Sequence, residues 1–190
     1  MRPLPLLLAA LLLAGGCSAL AAPAAPRSPQ AQAAAAAEFG GTDLAWVELM
    51  IPMDEQLLPL LDLVRDRAAD PALVSLAGDL RGVYDGELPR LRALSDQAGL
   101  PKDNPHKGHK MPGLVDADTL SALRSDSGAG FEQRAVACLR EHLAQLANLA
   151  TSEIANGTSP TVKSLAGQVQ QTRTAATSRL PVSTDMSATP

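Results

Sequence analysis

The strongest constraint on this chain is an internal repeat. Ser75-Leu76-Ala77-Gly78 recurs as Ser164-Leu165-Ala166-Gly167, 89 residues further on. The same register lays Asp70-Pro71 on Ser159-Pro160, Asp43 on Glu132, Met50 on Leu139 and Gln56-Leu57 on Gln145-Leu146. A register held over that distance marks duplication of one structural unit, because a short identity alone arises by chance. Asp70-Pro71 and Ser159-Pro160 each read as an N-cap followed by proline at the first helical position. Each copy is therefore a helix, a short turn and a second helix.

The first helix is expected over about Asp43 to Ala69 and the second over Pro71 to Ala98, where Gly99 stops it. The third is expected over Gly130 to Ala155, closed by Asn156-Gly157, and the fourth from Pro160 to about Arg179. Between the hairpins (43–98 and 130–179) lies a linker, 99–129, with a short helix near Asp118 to Arg124. Pro59 and Pro89 fall inside the first two helices and should bend them. Aromatic residues make up only 2% of the chain against 46% hydrophobic. The core must then come from Leu, Ala, Val and Met, which suits helices better than sheet. Two hairpins of this length bury a shared core as an all-α four-helix bundle spanning residues 39–180.

Each helix carries an apolar stripe broken once by an ionisable residue. The first stripe is Val47, Met50, Asp54, Leu57, Leu61, Val64, Ala68. The second is Leu73, Ala77, Leu80, Tyr84, Glu87, Leu91, Leu94, Ala98. The third is Ala135, Cys138, His142, Leu146, Leu149, and the fourth Val162, Leu165, Val169, Arg173, Ala176, Leu180. Asp54 and Glu87 are equidistant from the first turn, and His142 and Arg173 from the second, so each pair should be level. Buried charges must be paired or bind a metal. Asp54, Glu87, His142 and Arg173 are thus expected in one polar cluster, with Arg173 as its positive centre and Asp54 and Glu87 neutralising it.

The N-terminus reads as an export signal. Arg2 is followed by the apolar run Leu4 to Leu13 and by Ala14-Gly15-Gly16-Cys17. Small residues before a cleavage point mark a signal peptide, here residues 1–16, and a cysteine directly after them resembles a lipobox. Lipidation of Cys17 would anchor the protein to a membrane outside the cytoplasm. It would also consume the thiol, leaving Cys138 free and a Cys17–Cys138 disulfide disfavoured. Residues 17–38, rich in Ala, Pro, Gln and Ser, read as a tether, and 181–190 as a disordered tail. The net charge is −4 with no Lys/Arg run, which argues against nucleic acid as a partner.

Three further stretches stand out: Phe39-Gly40-Gly41-Thr42-Asp43, Met50-Ile51-Pro52 and the linker His106-Lys107-Gly108-His109-Lys110-Met111-Pro112-Gly113. In these the chain resembles domain-of-unknown-function family 305, exported ferritin-like bundles built from two such hairpins. The family pattern continues Met-Ile-Pro with two histidines. Here Met53-Asp54 stands in their place, and the second copy has His142-Leu143. Glu87 matches a family glutamate, Tyr84 replaces its glutamine, and Arg173 and Ala176 hold the same places in the second copy. The resemblance implies copper binding through His and Met, which suit that metal. Arg173, however, puts a positive charge where the cation would sit.

Two functions follow as expectations. One is a non-enzymatic structural or partner-binding envelope lipoprotein whose bundle site is degenerate and which has no certain cofactor. The other is a copper or other transition-metal-binding lipoprotein using His106, His109 and Met111, with His142, Glu87, Asp54 and Met53 as bundle ligands. No Ser/His/Asp set, Cys/His pair or phosphate loop points to an enzyme. Replacing Cys17 by alanine is expected to move the protein from the membrane fraction to the soluble fraction. Retention of that variant in salt-washed membranes contradicts the lipobox.

Overall fold

Proline starts two of the helices where the repeat requires it. The computed structural model describes residues 38–103 and 110–181. It contains α1 (Gly41–Arg67), α2 (Pro71–Ala98), α3 (Ala117–Ser125), α4 (Gly128–Asn156) and α5 (Pro160–Arg179), and no strand among the described residues. Asp70 Oδ1 accepts from the Ala72 N–H at 2.8 Å ahead of α2, and Ser159 Oγ accepts from the Val162 N–H at 3.5 Å ahead of α5. At the end of α2, Gly99 turns left-handed (φ 72°), with its N–H on the Asp96 carbonyl and the Leu100 N–H on the Ser95 carbonyl. That is a Schellman closure. α1 begins two residues before the expected Asp43 and stops at Arg67 rather than Ala69. α4 extends the expected third helix at both ends. Its stop differs from that of α2, for Gly157 is extended (φ −66°) rather than left-handed. α1 runs through Pro52 as well as Pro59, and α2 through Pro89.

The fold is an all-α bundle. α1 packs along α2 and α4 along α5, as two hairpins, and α1 also lies against α4 more extensively than α2 against α5. Asp43 accepts from the Thr158 and Ser159 N–H groups at 3.1 and 3.0 Å, so the start of α1 sits at the α4–α5 turn. Glu132 Oε1 accepts from the Ala69 and Asp70 N–H groups at 2.5 and 3.1 Å, so the start of α4 sits at the α1–α2 turn. Asp43 and Glu132 are equivalent in the repeat, and so are the two turns they bind. Each hairpin thus caps the turn of the other, and the copies lie head to tail about an approximate two-fold axis.

The apolar faces meet in one core that includes Val47, Met50, Leu57, Leu61, Leu91, Leu139, Leu146 and Val169, all fully buried. One stripe needs correction. On α4, Cys138 and Leu149 are only half-buried, whereas Leu139, Leu143 and Ala150 are fully enclosed. α4 touches α1, α3 and α5, so its buried face is wider than a single three–four stripe and is centred one residue away. α3 is tied down by Arg67. Its guanidinium donates to the carbonyls of Leu123, Arg124 and Asp126 and lies 4.6 Å over the Phe131 ring. No helix of the described residues is long and apolar enough to cross a membrane. The expected signal peptide, Cys17, nearly all of the tether, the histidines of the linker and all but the first residue of the tail lie outside the described residues.

Glu132→Ala strips the α1–α2 turn of its acceptor for two N–H groups. It should cost about 1–2 kcal/mol, the scale of a lost helix cap, read as a lower denaturation midpoint. An unchanged midpoint contradicts reciprocal capping.

Candidate functional site

Midway along the bundle the four long helices bring their polar exceptions together. Asp54 comes from α1, Tyr84 and Glu87 from one face of α2, His142 from α4 and Arg173 from α5. Asp54, Tyr84, His142 and Arg173 have no exposed surface and Glu87 has 6%. Arg173 Nη2 donates to Glu87 Oε1 at 2.8 Å and to Asp54 Oδ1 at 3.3 Å. Its guanidinium carbon lies 4.0 Å from the centroid of the Tyr84 ring, a cation–π contact. The expected level pairing of Asp54 with Glu87 is met through this shared donor.

His142 departs from the expected cluster. It makes no bond to either carboxylate. Its Nδ1 lies 2.8 Å from the Gly113 carbonyl oxygen and its Nε2 2.9 Å from the Tyr84 hydroxyl. A carbonyl only accepts, so Nδ1 carries the proton, and the lone pair on Nε2 receives the Tyr84 O–H. His142 therefore joins the cluster through Tyr84, with both ring nitrogens engaged. Burial holds its pKa down at about 3, and the Arg173 charge adds to that against the pull of the Gly113 carbonyl. The imidazole is neutral at any ordinary pH.

Asp54 and Glu87 both pair with Arg173 as expected, and charge balance adds a condition. Two ionised carboxylates around one guanidinium would leave a buried negative charge. Burial, and next the neighbouring Glu87 charge, push the Asp54 carboxyl well above the usual carboxylate range despite Arg173. Asp54 Oδ2 also has no donor. A proton on it satisfies both facts, since the neutral acid then donates toward Glu87. The site thus sets one guanidinium against two carboxyl groups, of which burial drives Asp54 toward its neutral form.

These residues do not fit a resident cation. The position between the two carboxyl groups is filled by the Arg173 nitrogen, and the one histidine has no free lone pair. Among the described residues no group of three or more His, Cys, Asp or Glu is placed to hold a metal. Met53 is buried in the apolar core, and Met111 is half-buried against it. His106 and His109 lie outside the described residues, and Cys138 is a half-buried free thiol whose pKa is raised by burial.

Tyr84, which the second stripe holds as one of its core-facing members, and Gly113, which lies outside the stripes, are the participants not expected in the cluster. The repeat does contain a signal for Tyr84, which is equivalent to Arg173. Equivalent positions that lie beside a two-fold axis meet across it, and there the Tyr84 and Arg173 side chains stack. Gly113 has φ 74°, and a Cβ there would lie 2.8 Å from Gln145 Cβ and 3.1 Å from the Glu141 carbonyl oxygen. Only glycine lets the Met111-Pro112-Gly113 turn come this close to α4. The Gly113 N–H also donates to Glu141 Oε1 at 3.1 Å.

Arg173→Ala leaves two carboxyl groups facing each other and should destabilise by about 3–5 kcal/mol. A cost under about 1 kcal/mol, the surface-pair scale, contradicts the site. Tyr84→Phe removes only the hydroxyl and strands His142 Nε2, at a cost of about 1–3 kcal/mol. Both are read from chemical denaturation, and a neutral Tyr84→Phe would disprove the assigned tautomer.

No curated protein matches the chain in sequence. Its fold is similar to the crystal structure of a DUF305 fragment from Deinococcus radiodurans. That match has a TM-score of 0.67 and 17% identity, covering 75% of this chain and 94% of the other. It is also similar to a DUF305 protein of Streptomyces coelicolor, with a TM-score of 0.64, 21% identity, and coverage of 73% and 89%. At these identities the likeness speaks for the fold. The sequence pattern called Domain of unknown function (DUF305) matches residues 43–182, more than half of the chain, and the chain belongs to that family.

Proposed function

We propose that this protein is a lipid-anchored component of the cell envelope whose bundle is a metal-free structural or partner-binding module, not a catalyst or a metal carrier. The observation that carries the reading is Arg173. It fills the centre of the bundle and pairs with Glu87 and Asp54, while His142 spends both nitrogens on Tyr84 and Gly113. A metal centre needs ligands with free lone pairs and a vacant position among them. This core offers a guanidinium there. Location outside the cytoplasm is supported by the signal-like N-terminus with Cys17, and by the Streptomyces coelicolor relative, which is described as a secreted protein.

Full-length protein purified in detergent should carry metal well below one equivalent per chain by mass spectrometry. A chelator should leave its melting temperature unchanged. Stoichiometric copper that disappears in the His106→Ala/His109→Ala variant would replace this reading with metal handling through the linker. Stoichiometric metal that survives that variant but is removed by chelator with loss of stability would place a metal in the bundle.

A further inference from the structure

A second buried carboxyl pair lies away from the Arg173 site, where the chain enters α1 and the α4–α5 turn meets it. Asp43 is fully buried and saturated with donors. Its Oδ2 accepts from the Gly40 N–H at 2.6 Å and the Thr158 hydroxyl at 2.8 Å, and its Oδ1 from the Thr158 and Ser159 N–H groups. Such a set of donors requires the ionised form. Glu153, in the last turn of α4, has no exposed surface and no donor to either oxygen, and the side chain it interacts with is that of Asp43. Two ionised acceptors cannot be neighbours in a buried place. A proton on Glu153 makes it a donor to Asp43.

Two further features single Glu153 out. In the first hairpin the equivalent position is Val64, fully buried, so the bundle needs only an apolar side chain there. And Gly157 leaves the carboxyl its room, since a Cβ on Gly157 would fall 2.6 Å from Glu153 Cδ. This accounts for a glycine at a φ open to any residue.

We propose that Asp43 and Glu153 form a proton-operated latch, which fastens the α4–α5 turn to the start of α1 while one proton is held between the two carboxyl groups and loosens it when that proton is lost. Burial, and after it the bond and charge of Asp43, push Glu153 up to about 7, opposed by Lys163. Burial opposes ionisation of Asp43, but the bonds from Glu153, Thr158, Gly40 and Ser159 hold it at about 2. The charged groups acting on Glu153 are therefore Asp43 from α1 and Lys163 from α5. Because the folded pKa of Glu153 lies above its ordinary 4.5, its contribution to stability is complete below pH 4.5. It is lost as the pH climbs through about 7, a change of about 300-fold in the folding constant.

Asp54 and His142 are also shifted, so the test is the difference between wild type and Glu153→Gln at each pH. The glutamine amide donates to Asp43 at every pH and keeps the latch closed. From about pH 4.5 to about pH 8.5 the wild type should lose about 150-fold in folding constant relative to the variant. Trp46, the only tryptophan of the chain, lies one helical turn after Asp43. Its emission should change in the folded wild type with a midpoint near pH 7 and stay flat in Glu153→Gln. Glu153→Val, which copies Val64, should be equally flat and serves if the glutamine variant does not fold. Wild-type and variant stabilities that run parallel within about threefold, the scale of ordinary substitutions, with no Trp46 transition, overturn the latch.

Discussion

The structure depends on one buried guanidinium. Arg173 has no contact with solvent, and an uncompensated charge there would cost several kcal/mol, a large share of a domain's net stability. Every long helix and the linker contribute to compensating it. α1 supplies Asp54, and α2 supplies Glu87 and the Tyr84 ring. α4 supplies His142, which holds the Tyr84 hydroxyl, and the linker supplies the Gly113 carbonyl, which fixes the His142 tautomer. A slip of any helix by one residue would break this chain of contacts. A purely apolar core of Leu, Val and Ala tolerates such slips more readily, so the polar layer specifies the register of an otherwise plain bundle.

Duplication explains how such a layer could arise. Tyr84 and Arg173 occupy equivalent places, as do Met53 and His142, Asp54 and Leu143, and Glu87 and Ala176. In every pair the two hairpins have diverged in opposite senses, toward a polar side chain in one copy and a different or apolar one in the other. A symmetric layer would present two arginines or four acids to one another at the axis. Asymmetry sets one guanidinium against one Asp and one Glu, and the upward push of burial on Asp54 brings the layer nearer the charge balance a low-dielectric interior requires. At the ends of the bundle the symmetry survives in Asp43 and Glu132, because there each acid meets backbone N–H groups that both turns offer alike.

Much of this was legible in the residues. The 89-residue register, the Asp70-Pro71 and Ser159-Pro160 starts and the four stripes define the hairpins. Counting from the turns brings Asp54 level with Glu87, because rise per residue in a helix is fixed. Side-chain partners were less legible. His142 was expected beside the carboxylates, but the choice between an acid and the Tyr84 hydroxyl depends on rotation about the helix axes, which residue counting does not contain. The protonation of Asp54 follows from summed burial and charge, not from residue type. Glu153 was missed because it lies at a helix end, where a glutamate ordinarily reaches water.

The central claim is that Arg173, and not a cation, balances this site, with Asp54 protonated. Carbon-13 NMR of side-chain carboxyl groups in selectively labelled protein measures it directly. The account predicts that at neutral pH the Asp54 carboxyl carbon has the shift of a protonated acid, and that Arg173→Met leaves it protonated. An ionised Asp54 at neutral pH in the wild type would leave a net negative pocket suited to a metal, and would contradict the account.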